Sequence, residues 1–569
     1  MLLSKLQRAS ALWLLAALAM PVLSESQSSS SGGTPTTDSL PTLRLEAREF
    51  KVFDYPVTVG EPEQTLMMRL DVANGMAWLP GSDGFVDCDS PPANPSASTA
   101  SSAAMPSSSS DSDSDSYPCA SQGIYNIHNS STGNFLSGSG AEEGGSNSLG
   151  ASILEIFTNY VYISGNNAED DFKLRVLETF ENGTSHNITV DLEQQKFVNA
   201  NDSNVSTGGM GVGAFPDGYT SNFLQSFVDD EIIETNSYSL AISPYGPAEL
   251  ILGGISSSKY TGDLHLFDFI PLVDESESFV TSDYGYTKNL PVVPITAFGV
   301  TSNSSGTSVK FSNVYDDKIT TGTYPRPALL DTRTFYNYIP YSALIELAVE
   351  LNAYYTASVD SWIVDCNVGS IGTIDIYFGN MDVNLPISSV LYPAKNKNGS
   401  DLVFENGDKA CYLAFLPDYV TGFTLLGTPF LKNVYLAVNN EEQVLALASA
   451  KTETAETEVT MHPIQSGIPL ARTNNLTDYG SLTLTIPSSI NVTATIEHSS
   501  QAFISNGEVY IGNNGSSPNP LSSDYVPGST SNSASGSYSS SRKGEAPRGS
   551  VNFNLGYTMG SILLILNLL

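Results

Sequence analysis

Positive charge is what this chain has least of: 24 lysines and arginines stand against 60 aspartates and glutamates, a formal charge of −36 over 569 residues. That imbalance makes nucleic acid and anionic membrane surfaces poor partners. Histidine is scarce too. The five, His128, His186, His265, His462 and His498, are scattered and make no H-E-x-x-H spacing, so no metal and no cofactor is expected. G-x-S-x-G is absent, which leaves a serine-hydrolase reading without its nucleophile motif. Four cysteines are too few for a disulfide scaffold of this length and enough for two bridges. What is plentiful is apolar: 40% hydrophobic and 10% aromatic residues can bury a large core, which excludes whole-chain disorder. At about 150 residues per domain, roughly two to four folded units are expected. Abundant Ser, Asn and Gly, beside a charged fraction of only 15%, point to a secreted, acidic, mostly β chain.

The apolar runs at the two ends are both short for a membrane span. Residues 1–24 carry Lys5 and Arg8, then an apolar run from Ala11 to Ala19 and a small-residue stretch near Ser24, the layout of a cleaved secretory signal. Residues 545–569 close on the apolar run Ser561 to Leu569 after a polar spacer, the order of a removed glycosylphosphatidylinositol attachment signal. Gly544 is the expected attachment site, with Ser540 and Ser541 as alternatives, so membrane contact is expected only through a lipid anchor. Ten N-x-Ser/Thr sequons, at Asn129, Asn182, Asn187, Asn201, Asn204, Asn303, Asn398, Asn475, Asn491 and Asn514, fit a glycosylated surface protein. The expected route is the secretory pathway to the plasma membrane or wall.

Between these ends, residues 25–49 are Ser/Thr/Pro-rich and read as a short disordered prosegment, with strand patterns from Phe50 to about Ala450. An N-terminal β lobe over 50–235 and a C-terminal β lobe over 236–450 are expected. The first contains a low-complexity Ser/Asp-rich insert, 89–118, read as a solvated loop. Cys88 and Cys119 bracket the insert, and a bridge there would pinch it off. Cys366 and Cys411 bracket a second segment; if they pair, the first two remain for each other, the alternative being a crossed pairing between the lobes. After Ala450 the pattern weakens over 451–514, and 515–544 is a Ser/Gly-rich stalk.

The body contains a loose repeat. An apolar strand runs into an aspartate twice, at Leu66-Met67-Met68-Arg69-Leu70-Asp71 and at Ala328-Leu329-Leu330-Asp331. Each half later carries an apolar-then-glycine turn, Met210-Gly211-Val212-Gly213 and Leu425-Leu426-Gly427-Thr428. Leu344, Leu347, Ala348 and Leu351 share one face of a helix after Pro340. With Val59-Gly60-Glu61-Pro62 ahead of Leu70-Asp71, Trp78 seven residues on, and Thr424-Leu425-Leu426-Gly427-Thr428-Pro429-Phe430-Leu431 near the close, the body resembles a pepsin-like aspartic protease. The resemblance covers roughly residues 50–450. It implies an all-β, bilobal fold with a few short helices. Asn236-Ser237-Tyr238-Ser239-Leu240, Ser258-Lys259-Tyr260-Thr261-Gly262 and Arg542-Lys543 are similar to the yapsin branch, fungal surface proteases with a cysteine-bracketed insert and a lipid-anchored stalk.

In that family two facing carboxylates share one proton, because both cannot ionise at close range. One activates a water and the other protonates the substrate. The resemblance assigns these roles to Asp71 and Asp331. The family motif is Asp-Thr-Gly followed by Ser or Thr, in which glycine lets backbone N–H groups approach the carboxylate and threonine hydroxyls brace the two loops. Here the first motif reads Asp71-Val72-Ala73-Asn74 and the second Asp331-Thr332-Arg333-Thr334. Arg333 is expected to clash or to pair with a carboxylate, favouring its ionised form against the shared proton. The flap tyrosine followed by glycine is also missing: the stretch from Tyr162 to Glu169 reads as strand. Trp78 reads as a core residue. The expectation is a monomeric surface homologue with an impaired aspartic-type endopeptidase site, binding an extended peptide or a surface protein. The alternative is an active yapsin-like endopeptidase.

Overall fold

The computed structural model describes residues 39–48, 52–82, 123–136, 150–155, 161–180, 184–203, 207–214, 223–243, 247–274, 290–311, 324–359, 361–396, 399–418, 421–451, 460–474, 482–486, 489–490, 501–512 and 542–543, with single positions at 476 and 480. Residues 1–24, the insert with Cys88 and Cys119, the expected attachment residue Gly544 and residues 545–569 lie outside them.

The strands that position the site are β1 (Ser39–Arg48), β2 (Val52–Val59), β3 (Gln64–Asp71), β4 (Ala77–Pro80), β5 (Val161–Phe180), β6 (Ser185–Ser203), β7 (Gly208–Gly211), β8 (Ser237–Ile242), β9 (Ala248–Leu252), β10 (Tyr260–Asp268), β11 (Arg326–Leu330), β12 (Thr424–Leu426), β13 (Val434–Asn439) and β14 (Val444–Ala450). Among the described residues three short α-helices accompany them: α1 (Phe223–Asp229), α2 (Tyr341–Leu351) and α3 (Thr428–Leu431). The largest sheet runs β10-β14-β13-β8-β9-β1-β2-β3-β7-β4-β6-β5, flanked by Ala471–Thr473 at one end and Asn134–Phe135 at the other. This is the all-β architecture the sequence implied. Its core is continuous, from Leu43, Val57 and Leu70 through Leu240 and Leu250 to Leu329, Leu425 and Leu436. Burial of that apolar surface is the main stabilising term.

The helix after Pro340 forms as its pattern predicts. Leu344, Leu347, Ala348 and Leu351 are buried on one face, and Asn352 ends the helix in the left-handed conformation, φ 52°. Cys366 and Cys411 are joined, tying the end of the Ser361–Asp365 strand to its antiparallel neighbour Ala410–Leu413.

Two segments differ from expectation. A strand occupies Ser39–Arg48, inside the stretch read as a disordered prosegment and ahead of the strand start expected at Phe50: β1 pairs with β9, β2 and β5. The reason is local. Leu43 and Leu45 are buried and alternate with exposed Arg44 and Glu46, a two-residue period that the surrounding Ser/Thr/Pro composition obscures. The weakly patterned extension is also built into the body. Met461–Pro463 pairs with Gly254–Ser256, Ala471–Thr473 with β10, Leu484–Ile486 with Leu272–Asp274, and Glu508–Ile511 with Val403–Phe404. Strands of three or four residues are too short to show a period. Among the described residues no helix is long and apolar enough to cross a membrane.

Candidate active site

The repeat seen in the sequence becomes two copies of one local structure. β3 alternates buried Leu66, Met68 and Leu70 with more exposed neighbours and delivers Asp71 at its end. It lies parallel to β7, with Asp71 opposite Gly211, and Val212 N donates to the Asp71 carbonyl at 2.9 Å. β11 delivers Asp331 in the same way. It lies parallel to β12, and Asp331 N donates to Leu426 O at 3.1 Å. Gly427 follows, where a Cβ would sit 2.4 Å from the carbonyl oxygens of Thr334 and Tyr336, so the apolar-then-glycine turn is required by close approach.

Both aspartates are buried, Asp71 at 3% and Asp331 at 2% exposure. The inner oxygen of each accepts a backbone N–H from two residues on: Ala73 N to Asp71 Oδ1 at 3.0 Å, and Arg333 N to Asp331 Oδ1 at 2.7 Å. The expected cost of losing glycine is therefore not a lost donor. Neither Ala73 nor Arg333 is among the residues with positive φ, so an ordinary L-residue holds the turn. What changes is the side chain.

The outer oxygens differ. Thr334 Oγ1 donates to Asp331 Oδ2 at 2.5 Å. Asn74, at the matching place in the first loop, accepts instead from Met76 N at 2.8 Å. Asp71 Oδ2 faces Arg333, whose Nη1 lies 3.5 Å away, with both side chains 4% exposed. Arg333 thus touches both carboxylates, one through its backbone N–H and the other through its guanidinium. Its Cζ lies 5.9 Å from the Trp78 ring centroid, over a side chain that is itself buried.

The brace between the loops survives in half. Thr332 Oγ1 donates to Leu70 O at 2.8 Å and accepts from Val72 N at 3.2 Å. Val72 has no hydroxyl to return the contact. Tyr238 on β8 is buried, and its hydroxyl is pushed up, by burial first and by the Asp71 charge second. Tyr162 lies in β5 opposite Leu154, as the strand reading had it. The structure sets Arg333 against both Asp71 and Asp331, as expected of it, and adds Trp78, which sequence reasoning had placed only in the core. Its only signal was position, seven residues after Asp71 at the start of a strand. Among the described residues no cluster of His, Cys, Asp and Glu is arranged to hold a metal.

Four sequon asparagines fall on described residues, Asn129, Asn187, Asn201 and Asn303, and all four are exposed. The other six lie outside them.

Residues 163–450 match the family described as eukaryotic aspartyl protease. Aspartic proteinase yapsin-7 of Saccharomyces cerevisiae is 29% identical over 363 residues, 57% of this chain and 58% of that protein. Yapsin-3 of the same yeast is 24% identical over 443 residues, 75% of this chain and 71% of that protein. Barrierpepsin, also from that yeast, is 24% identical over 439 residues, 74% of this chain and 64% of that protein. The chain spans between half and three fifths of the length of yapsin-7 and of the yeast aspartic proteinase 3.

Proposed function

The chain belongs to the eukaryotic aspartyl protease family, and from that premise we propose a cell-surface homologue with an impaired aspartic-type endopeptidase site that binds extended peptide without cutting it. The observation that carries this reading is the Arg333 guanidinium, buried and 3.5 Å from Asp71 Oδ2. Hydrolysis of this type needs one carboxylate to hold a proton and the other to activate a water. A fixed cation beside Asp71 favours its charged form and stands against the shared proton. The buried cation also leaves less room for the water. Extended peptide would still be held by main-chain contacts to the strands around the site. Export and a lipid anchor at Gly544 belong to the same proposal, supported by the terminal signals and the exposed sequons.

One observation favours the second reading, an active endopeptidase. Asp331 keeps its threonine hydroxyl and both loops keep their N–H donors. The two readings separate by experiment. The purified body, residues 25–540, is incubated with a mixed peptide library between about pH 3 and 6, the range in which a carboxylate pair can share a proton, beside an Asp331→Asn control. No cleavage is expected, with cleavage appearing in the double revertant Ala73→Gly, Arg333→Gly. Cleavage by the natural chain that disappears in Asp331→Asn would overturn the impaired reading.

A further inference from the structure

We propose that Arg333 stands in for the proton that a working carboxylate pair shares, and that Trp78 is the positioning residue that keeps it there. This rests on the reading of Arg333 as the residue that disables the pair, and adds what the guanidinium does for the fold and what holds it.

Charge counting comes first. Two carboxylates with one shared proton carry a net charge of −1. Two carboxylates with one guanidinium carry the same. Two bare carboxylates in a buried site would carry −2, an arrangement that like-charge repulsion and desolvation both oppose. Asp71 and Asp331 are both almost fully buried, and Arg333 contacts one through its backbone and the other through its side chain. A proton neutralises only when the solution supplies it. A guanidinium remains charged at every accessible pH. The natural chain therefore holds its site at a net −1 at neutral pH, where a proton-sharing pair loses its proton and goes to −2.

Position comes second. The Asp71 contact, at 3.5 Å, is long for a charge-assisted hydrogen bond and fixes no angle by itself. The planar cation also meets the Trp78 ring at 5.9 Å, within reach of a cation–π contact. The Trp78 backbone is held from two sides, because β4 pairs antiparallel with β7 at Trp78 and Gly209 and parallel with β6 at Trp78 and Val198, and the indole is buried. It fills the space Gly209 leaves open, where a Cβ would sit 2.1 Å from Trp78 Nε1. Arg333, following β11, is thus gripped between Asp71 at the end of β3 and Trp78 on β4. Among the described residues this cluster also holds the ionisable groups Asp331 and Tyr238, and β4 and β7 carry no titratable side chain. Tyr238 is neutral at both acid and neutral pH, since a tyrosine ordinarily titrates near 10 and burial shifts this one further up.

The test is a thermal-melt cycle on the folded natural chain with Arg333→Met, Trp78→Leu and the double variant, at about pH 7 and at about pH 3.5, the second near the ordinary aspartate pKa. Each single variant is expected to lower the melting temperature at pH 7 and to lower it less at pH 3.5, where the carboxylates take up protons of their own. The double variant is expected to melt near the lower of the two singles, because both break one contact. Trp78→Phe, which keeps a ring face with less volume, is expected to retain most of the wild-type value and serves if Trp78→Leu does not fold. Additive losses, or losses equal at both pH values, would mean that Trp78 only fills space, and would overturn the proposal. The peptide-cleavage assay reports separately on the impaired reading. Proteolysis by the natural chain with a coupled cycle would sink that reading and leave the clamp standing.

Discussion

Thr332 sends its hydroxyl across to Leu70 O and receives Val72 N, while Val72 has no hydroxyl to make the reciprocal contact. That single side chain, 1% exposed, satisfies a buried carbonyl and a buried N–H together. Thr332→Val is therefore expected to cost about 1–3 kcal/mol, the penalty for leaving buried polar groups unpaired, and Thr332→Ser much less. Urea unfolding of the three chains checks this; equal midpoints for wild type and Thr332→Val would remove the brace from the account. The same residues show how much of the site was legible. Asp71, Asp331 and Arg333 could be read because motif departures are local in sequence. The surviving N–H donors at Ala73 and Arg333 could not, because the backbone path, not the side-chain identity, brings them to the carboxylates. Trp78 could not either: its contact with Arg333 joins residues 255 positions apart by number, and a buried tryptophan in a strand has a simpler explanation in the sequence alone.

At the scale of elements, helix α2 was legible from its period and the two aspartate-bearing strands from apolar runs that end on Asp71 and Asp331. The extension after Ala450 was not, yet it adds strands to four separate places in the body. Thr235 Oγ1 donates to Ile464 O at 2.6 Å and Asn474 Nδ2 to Phe378 O at 2.7 Å, both buried. The family match ends at residue 450, but the packed body does not. A chain ending after Gly512 is expected to melt as the full chain does, whereas one ending after Ala450 is expected to lose several degrees or fail to express as a folded protein. Identical melts for the two truncations would show that the extension is only laid on the surface. Cutting early uncovers Ile255 and Leu264, which pack with Ile464 and Ile468 in one buried cluster.

Across the whole molecule the dominant fact is charge. A formal −36 repels itself, and that repulsion weakens with screening and with carboxylate protonation. Raising salt from about 0.01 M to about 0.15 M shortens the screening length from roughly 30 Å to 8 Å. It is expected to raise the melting temperature at pH 7, and to raise it less near the sequence pI of about 4.2. A salt response equal at both pH values would assign it to hydrophobic or ion-specific effects instead. The order of strands in the main sheet carries a different consequence, one of time. β8, at 237–242, has β9 on one side and β13, at 434–439, on the other. A chain emerging from the ribosome therefore completes β8 about 200 residues before the strand that covers its open edge exists. At roughly 5–20 residues per second that interval lasts on the order of 10–40 s. During it the first half exposes a ready template for mispairing. Synthesis order, rather than final stability, sets when this protein is most dependent on chaperones.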